Sequence, residues 1–463
     1  MTIRWRKAVK LILVGVLLLT VVFVVLVGPW PNYQDNFRES SYFEETLARL
    51  NSLVPEQEPN SERSGFHAGW GVEVITPPVG TPLAGYGDRK GRPSTGVHDD
   101  LYVKALAVGD GVDTAIIVGS DLLVVAENIA DRVRELIGQK TALTGDEILF
   151  NASHNHSGPG GYAPGVISGI FNGEYDPAIY ELLVERFVAA IRTALDQMGP
   201  ATFSSGGVEV PDLIRNRERA DAPVDSELSY LRVDKSSGER CALVSYSAHP
   251  TVLGGDNFKF TGEYPGFMMR ALGELLDSEV IYLGGAVGSM THQAPEAPTR
   301  LERSQAMGRA LAERVAGELE NSGPPSTDAN VEVVGFPMEL PPYQLRLTRR
   351  LRLSPMMLPM LGIDHDAWIQ GVRIGQVVLA GMPADYCGEI SVKLKAAAQA
   401  KGIDLWVLSF NGDYVGYISP DEYYNDLEEN GTLGYERGVM SWIGPEQEAY
   451  TSHLIELLTD SLF

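Results

Sequence analysis

The residues best suited to chemistry in this sequence are two histidines that flank a single asparagine and precede a glycine-rich turn. They lie in the segment 153–161, which is SHNHSGPGG. Residues two apart in an extended backbone point to the same side, so His154 and His156 can face one cleft. The alternative is a pair of surface histidines in a turn. The chain has only 8 histidines, and two of them beside glycines that permit a sharp turn favour a metal-binding or catalytic role.

Four further polar residues follow three of the predicted strands. His249 ends one strand in YSAHP, where a lone histidine is more often packed and hydrogen-bonded than a ligand. Asp385, in GMPADY, can complete a two-histidine, one-carboxylate zinc set with an open position for water, or it can simply cap the next helix. Tyr414 and Tyr417 follow another strand, and their position alone indicates packing. No short spacing ties His249 to the histidine pair.

A serine nucleophile is the competing chemistry. The chain has no Gly-x-Ser-x-Gly elbow. Residues 288–292, GSMTH, follow a predicted strand, but no other feature identifies them as a nucleophile turn. The sequence therefore disfavours a serine hydrolase.

The elements that must position these residues alternate between short apolar strands and amphipathic helices. The predicted strands are 72–75, 101–108, 114–119, 147–151, 229–233, 242–247, 280–283, 374–380 and 405–410. The predicted helices are 126–139, 177–197, 265–276, 301–320, 388–401 and 445–462. This alternation predicts an α/β fold of layered mixed β-sheets flanked by helices, with the polar motifs at strand ends. No linker-like gap divides residues 68–463, which we interpret as a single large catalytic domain.

The N-terminus predicts a membrane anchor over residues 1–34. Arg4, Arg6, Lys7 and Lys10 precede an uncharged and largely apolar stretch, 11–34. About 20 apolar residues span a bilayer, and a basic flank stays in the cytoplasm. A cleaved signal peptide is the alternative, but the stretch ends in GPWP without an Ala-x-Ala site. Either way, the catalytic domain is expected to be extracytoplasmic, in the periplasm or outside the cell.

Between the anchor and the domain, residues 35–67 are predicted to form a polar linker. It contains a short amphipathic helix, FEETLARLNSLV, followed by a segment with Pro55 and Pro59. We expect this linker to hold the domain off the membrane.

Composition excludes some classes of function. The chain of 463 residues is 44 % apolar and 21 % charged, as in globular proteins, and carries a net charge of −24. Such a field repels phosphates, so no nucleic-acid partner is expected. Cys241 and Cys387 are the only cysteines, and they can either pair in an exported protein or remain two buried thiols. Without a Cys-x-x-Cys motif, a sulfur-bound metal is disfavoured.

Taken in order, several segments resemble the neutral (non-lysosomal) ceramidase family. The family signature ThrHisThrHisSerGlyProGlyGly is similar to the segment that starts at Ser153. The other matching segments are GVHDDLYVKAL at 96–106, NR at 216–217, AHPT at 248–251, PADY at 383–386, YVGYI at 414–418 and GYE at 434–436. The resemblance covers about residues 68–463, the family's catalytic domain, without the immunoglobulin-like C-terminal domain of full-length members.

The resemblance implies one zinc ion with four ligands. Carried over residue by residue, they are His154, His249, Asp385 and Tyr417. Zinc lowers the pKa of bound water and polarises an amide carbonyl.

The resemblance also implies the residues that act beside the metal. His156 would be a general acid or base with a pKa near neutrality. Arg217 and Tyr435 would hold the carbonyl oxygen or the substrate's hydroxyl groups.

Two departures from the family pattern matter. The family's acidic ligand is glutamate, whereas Asp385 is one methylene shorter. In the loop that carries the family's active-site serine, residues 288–293 are GSMTHQ, which puts Thr291 at the serine position and Ser289 at an aspartate position. A threonine hydroxyl can still orient substrate, but the altered loop weakens a strict match to ceramide.

The resemblance predicts a zinc-dependent hydrolase that cleaves an N-acyl amide bond of ceramide or a related lipid amide. An anchored domain suits a substrate that resides in the bilayer. A zinc hydrolase of a non-lipid amide, ester or lactone is the second hypothesis, favoured by the altered loop. A non-catalytic envelope binding protein on the same fold is the third.

Overall fold

The computed structural model describes residues 2–33, 36–53, 63–320, 325–326, 330–357, 366–427 and 433–463. Within them the helices are α1 (Thr2–Leu26), α2 (Ser41–Leu53), α3 (Glu127–Gly138), α4 (Val166–Asn172), α5 (Pro177–Asp196), α6 (Glu263–Leu276), α7 (Arg300–Glu320), α8 (Gly388–Gln399) and α9 (Gln447–Ser461). The strands are β1 (Trp30–Pro31), β2 (His67–Val74), β3 (Gly96–Val97), β4 (Tyr102–Gly109), β5 (Thr114–Ser120), β6 (Ile148–Ala152), β7 (Gly199–Glu209), β8 (Ile214–Asn216), β9 (Glu227–Lys235), β10 (Arg240–Tyr246), β11 (Lys259–Phe260), β12 (Glu279–Gly284), β13 (Met290–His292), β14 (Val331–Glu339), β15 (Leu351–Arg352), β16 (Asp366–Ile374), β17 (Val377–Gly381), β18 (Asp385–Tyr386), β19 (Asp404–Leu408) and β20 (Tyr417–Ile418).

Two mixed sheets form the centre of the molecule. The larger has eight strands in the order β12-β10-β9-β7-β2-β4-β5-β6, and the smaller has four in the order β14-β16-β17-β19, counted over the described ranges. The outer pairs β10–β12, β5–β6 and β17–β19 are parallel, and the remaining neighbours are antiparallel.

The sheets pack face to face with helices outside them. Side chains of the larger sheet, such as Leu106 and Ile117, share a buried core with Val372 and Leu379 of the smaller one. Helices α3, α5, α6 and α7 cover the larger sheet, and α2, α8 and α9 cover the smaller. The predicted class of layered mixed sheets flanked by helices is therefore confirmed.

Strands in the middle of these layers are buried on both faces, which explains their continuous apolar sequence. In β17, Val377 and Leu379 enter the core between the sheets, whereas Val378 and Ala380 face the helical layer with α8 and α9. This burial makes such strands visible in sequence and holds the loops that follow them in fixed positions.

Three strands of the two sheets, β7, β14 and β16, were not predicted from the sequence. Strand β7 is rich in glycine and serine and buries few apolar side chains. The predicted strand 374–380 overlaps only the last residue of β16 and continues into β17 across a turn at Gly375, whose φ is +61°. In β7 the pairing with a neighbouring strand outweighs a weak local preference.

Part of the predicted linker is packed on the domain. Helix α2 corresponds to the predicted amphipathic helix, and its Phe43 and Leu50 enter the core beside Phe336 of β14. Residues 54–62, with Pro55 and Pro59, lie outside the described residues.

The two cysteines do not pair. Cys241 lies in the core between the sheets, Cys387 precedes α8, and both thiols are free and buried. Of the two possibilities the sequence left open, the structure shows buried free thiols.

Helix α1 is long and apolar enough over Trp5–Leu26 to cross a membrane, and none of its length is buried against the rest of the chain. An anchor and a signal sequence both have this form.

Candidate metal centre and active site

Four loops that follow strands bring the candidate residues together. His154 follows β6, His249 follows β10, Asp385 follows β17, and Phe410 follows β19. Strands β18 and β20 then pair in parallel with Asp385 opposite Tyr417. Thus the sheet framework and one short ladder, not sequence proximity, build the site.

His154 and His249 are held in the same way. Their imidazole rings lie 4.4 Å apart between centroids. Nδ1 of His154 is 2.9 Å from the carbonyl oxygen of Leu123, and Nδ1 of His249 is 3.0 Å from that of Val287. A carbonyl oxygen only accepts, so each Nδ1 carries the hydrogen and each Nε2 keeps a lone pair. Backbone carbonyls orient metal-binding histidines in this manner.

His156 is placed differently. Its ring centroid lies 4.8 Å from that of His154 and 5.5 Å from that of His249. Both of its ring nitrogens are buried without a hydrogen-bond partner. The ring rests against Tyr86, at 4.8 Å between centroids. His156 therefore lacks the carbonyl that orients the other two rings, although it shares their pocket.

Asp385 completes the polar cluster. Its Oδ1 lies 3.5 Å from Nε2 of His154 and is otherwise buried without a hydrogen-bond partner. Its Oδ2 accepts a hydrogen bond of 2.5 Å from the hydroxyl of Tyr414. The helix-cap alternative does not apply, because Cys387 occupies the N-cap position of α8.

These atoms fit a divalent metal ion. The ligand nitrogens of His154, His156 and His249 lie within 4.8 Å of one another. Free imidazole lone pairs next to an unpartnered carboxylate oxygen form a nitrogen and oxygen donor set of the kind that zinc prefers. Buried polar atoms are normally satisfied, so the unpartnered ring nitrogens of His156 and Oδ1 of Asp385 leave room for a further partner at this point.

Arg217 contacts the site through Tyr417, the residue that pairs with Asp385. Its Nη2 donates to the Tyr417 hydroxyl at 3.1 Å and to the carbonyl of Gly288 at 2.7 Å. Its Nε forms an ion pair of 2.6 Å with Glu436, which is also buried. Tyr435 is 52 % exposed, and its ring lies 6.1 Å from that of Tyr417. Arg217 thus holds a site tyrosine, whereas Tyr435 stands at the entrance.

The altered loop places Thr291 and Ser289 apart from the cavity. Thr291 lies on β13, where it forms a bridge with His249. The fully buried Ser289 donates to a carboxylate oxygen of Glu389 and accepts a bond from the amide of Gly388. Ser289 is therefore bound into the support beneath the site.

The backbone of His154 is strained, as is that of Phe410, whose ring packs against it. His154 and Phe410 both adopt left-handed conformations, with φ of +60° and +64°. Their rings stack in parallel at 4.2 Å between centroids. Non-glycine residues rarely take this conformation, and it persists where the surroundings impose it, often at functional sites.

A cavity of about 360 Å³ opens over the cluster, and His154, His156, Asp385, Tyr417 and Tyr435 line it. Much of its wall is apolar: Leu123, Val124, Ala163, Phe171, Met440 and Trp442. The site can therefore receive a substrate with a sizeable hydrocarbon portion.

Burial governs the ionisation of the cluster. It lowers the pKa of His154 despite the opposing charge of Asp385, and lowers the pKa values of His156 and His249 well below their usual range. Burial of the His156 ring, near the positive charges of Arg89 and Arg217, lowers its pKa below the near-neutral value expected from the sequence. Burial also raises the pKa of Asp385. The imidazoles are neutral, as metal ligands must be.

Gly85 fixes the position of His156, which gives a testable prediction. With φ of +99°, a Cβ at Gly85 would lie 2.5 Å from Nδ1 of His156. Gly85→Ala is expected to displace the ring and lower kcat by about 10²-fold, as misplaced catalytic groups do. Gly80→Ala is the matched control, since Gly80 has φ of +110° and open space around its Cβ.

Both variants should lose similar stability, about 1–2 kcal/mol from the strained backbone. Thermal unfolding and steady-state kinetics measure the two effects separately. Equal kcat in the two variants would show that Gly85 does not position His156.

Several known proteins are similar to this chain. Residues 66–272 match the family model described as the N-terminal part of neutral/alkaline non-lysosomal ceramidase. The resemblance to the neutral ceramidases is confirmed. Neutral ceramidase A of Dictyostelium discoideum is 26 % identical over 227 residues, which are 45 % of this chain and about a third, 32 %, of that protein. The neutral ceramidase of Mycobacterium tuberculosis is 22 % identical over 456 residues, covering 77 % of this chain and 71 % of that protein.

The fold is similar to that of solved ceramidases. The neutral ceramidase of Pseudomonas aeruginosa superposes with a TM-score of 0.71 at 17 % identity, over 87 % of this chain and 74 % of that one. A ceramidase complexed with C2 gives a TM-score of 0.71 at 16 % identity, over 85 % and 75 %. At these identities the similarity establishes the shared fold.

Sequence reasoning missed several residues of the site. Tyr414 was set aside as packing, although it bonds Asp385. Glu436 lies in the quoted GYE segment, yet only its neighbour Tyr435 was given a role. Phe410, the last residue of a predicted strand, was detectable only by its position. Nothing local indicated Gly85.

Proposed function

We propose that this chain is a zinc-dependent hydrolase that cleaves the N-acyl amide bond of ceramide or a related lipid amide. The observation that carries the proposal is the group of three histidines, His154, His156 and His249, beside an Asp385 oxygen without a hydrogen-bond partner, next to a largely apolar cavity. The similarity to neutral ceramidases supports the choice of an amide bond.

Four residues would hold the metal: His154, His249, Asp385 and Tyr417. When bound, zinc supplies a polarised carbonyl and a water of lowered pKa. The two histidines offer fixed Nε2 lone pairs, and Asp385 offers Oδ1. Arg217 donates a hydrogen bond that keeps the Tyr417 oxygen in place, and its charge opposes the rise in the Tyr417 pKa that burial causes.

The remaining residues would handle protons and substrate. Because burial keeps the His156 ring neutral, it would act first as a base, taking a proton from the attacking water at a ring nitrogen, and would then deliver that proton to the leaving amine. Tyr435 would donate a hydrogen bond to substrate at the entrance. Arg217 would position Tyr417 through a hydrogen bond. Thr291 would help to position His249 through the backbone bridge between the two residues.

The surroundings of the cavity support a lipid substrate. Helix α4 contributes Ser168 and Phe171 to the wall, and its Val166 and Ile170 are exposed apolar side chains. The anchor over residues 1–34 would keep the domain, outside the cytoplasm, next to lipids. We propose residues 68–463 as the catalytic domain.

Hydrolysis of a non-lipid amide, ester or lactone is the second candidate. It is favoured by the altered loop, in which Ser289 bonds Glu389 and Thr291 lies away from the cavity. This loop gives no hydroxyl to the cavity that could recognise a sphingoid headgroup.

Chelation tests the proposal. The purified full chain is expected to release fatty acid from a fluorescent ceramide, to lose this activity with a chelator and to regain it with Zn²⁺. Loss of metal chemistry removes several kcal/mol of transition-state stabilisation, about 10³-fold in rate. Fatty acid release is measured by chromatography.

A panel of acylated amines, esters and lactones serves as the control. Activity on the panel without release from ceramide would favour the second candidate. No hydrolysis of any substrate, together with no stoichiometric metal, would contradict both and leave a non-catalytic envelope binding protein.

A further inference from the structure

The end of α1 is bonded directly to a loop of the folded domain. The hydroxyl of Ser354 donates to the carbonyl of Val25 at 2.6 Å, and the amide of Ser354 donates to Val27 at 3.0 Å. Strand β1 pairs with β15, with Trp30 opposite Arg352. The chain that leaves α1 is therefore a strand of the domain and not a free tether.

This loop carries an exposed basic and apolar surface. We call its exposed residues the arginine patch: Leu347, Thr348, Arg349, Arg350 and Met356. Leu347 is 51 % and Met356 52 % exposed. The backbone carbonyls of Arg349 and Arg350 accept bonds from Asn32, directly after β1, which fixes the patch next to the end of α1.

Geometry places this patch at a bilayer surface whenever α1 lies in a membrane. Helix α1 has 25 residues, about 37 Å at 1.5 Å per residue, so its last turn reaches the interface of a hydrocarbon core of about 30 Å. Residues bonded to that turn must lie within a few ångströms of the headgroups.

The charge of the arginine patch also favours an orientation with the patch towards the membrane. The whole chain carries −24, so an anionic membrane repels most of its surface. Two exposed arginines at the point of closest approach oppose that repulsion, and Leu347 and Met356 can enter the apolar boundary.

We propose that the arginine patch binds anionic phospholipid headgroups and fixes the domain on the bilayer. Hydrogen bonds connect the segment that follows α1 to the cavity. The side-chain amide of Gln344 accepts a hydrogen bond from the backbone N–H of Tyr33 and donates one to its carbonyl. The backbone N–H of Gln344 donates to the carbonyl of Trp442. Tyr343 and Trp442 line the cavity. One wall of the cavity is thereby connected through Gln344 to the segment that follows α1.

This inference goes beyond the proposed hydrolysis and requires only that α1 lies in a bilayer. Its test uses the full chain in lipid nanodiscs, with a fluorophore attached after Leu347→Cys. Both natural thiols are fully buried, so the introduced cysteine takes the label. Leu275→Cys is the matched control, an equally exposed leucine at 55 % on α6, on the far side of the larger sheet.

Doxyl-labelled lipids are expected to quench the label at position 347 and shift its emission to the blue, with neither change at position 275. In discs that contain phosphatidylglycerol, Arg349→Gln with Arg350→Gln should reduce the quenching at 347. Equal quenching at 347 and 275 would overturn the proposal. Unchanged quenching in the double variant would overturn the role of the arginines. Neither readout depends on hydrolysis.

Discussion

In the His154→Asn variant, bound zinc is expected to fall from about one equivalent, as in a single catalytic site, to almost none. The Nε2 lone pair of His154 is fixed by the bond from Nδ1 to Leu123, so its loss removes an oriented ligand. Asparagine tolerates the left-handed backbone at this position. Activity should fall by about 10³-fold with the metal, as measured by metal analysis and kinetics.

His156→Asn is the paired variant that separates the two histidines of the motif. It should retain zinc, because His156 lacks the carbonyl partner that His154 and His249 share. It should still lose about 10²–10⁴-fold in kcat, as expected for a lost general acid or base. If zinc disappears from both variants, His156 is a ligand and the assignment to His154 alone is wrong.

The histidine motif was predictable because its information is local. His154 and His156 are close in sequence, follow an apolar strand and precede glycines. The ends of buried strands such as β6, β10 and β17 were equally visible, since both faces of these strands are apolar. His249 and Asp385 therefore emerged as candidates from strand ends, and the family resemblance gave them roles.

The relation between these residues was not predictable from local patterns. Asp385 meets Tyr417 only because β18 pairs with β20 in one register. Tyr414 bonds the carboxylate from the YVGYI segment, and nothing in that segment indicates that its first tyrosine contacts Asp385. Strand β7 was missed because its pairing with β9 decides its state, and helix α2 was predicted as a helix but not as a part of the domain core.

The loop that differs from the ceramidase pattern, residues 288–293, is held by the buried carboxylate of Glu389. Ser289 bonds Glu389, which also accepts from Asn216 at 2.5 Å and from Tyr423 at 2.9 Å. The loop is thus fixed from below by a buried carboxylate. Altered chemistry in the loop is compatible with an intact cluster of His154, His249 and Asp385 above it.

Asp385→Asn is expected to weaken zinc binding more than any change outside the ligand set. The side chain keeps its volume and its bond from Tyr414 but loses the negative charge opposite His154. Tyr414→Phe is the control, since it removes only the outer hydrogen bond and should cost about 10–100-fold in metal affinity. Competition with a chelator measures both affinities. An equal loss in the two variants would mean that Asp385 supports the histidines from outside, because a true ligand contributes its charge directly to the ion.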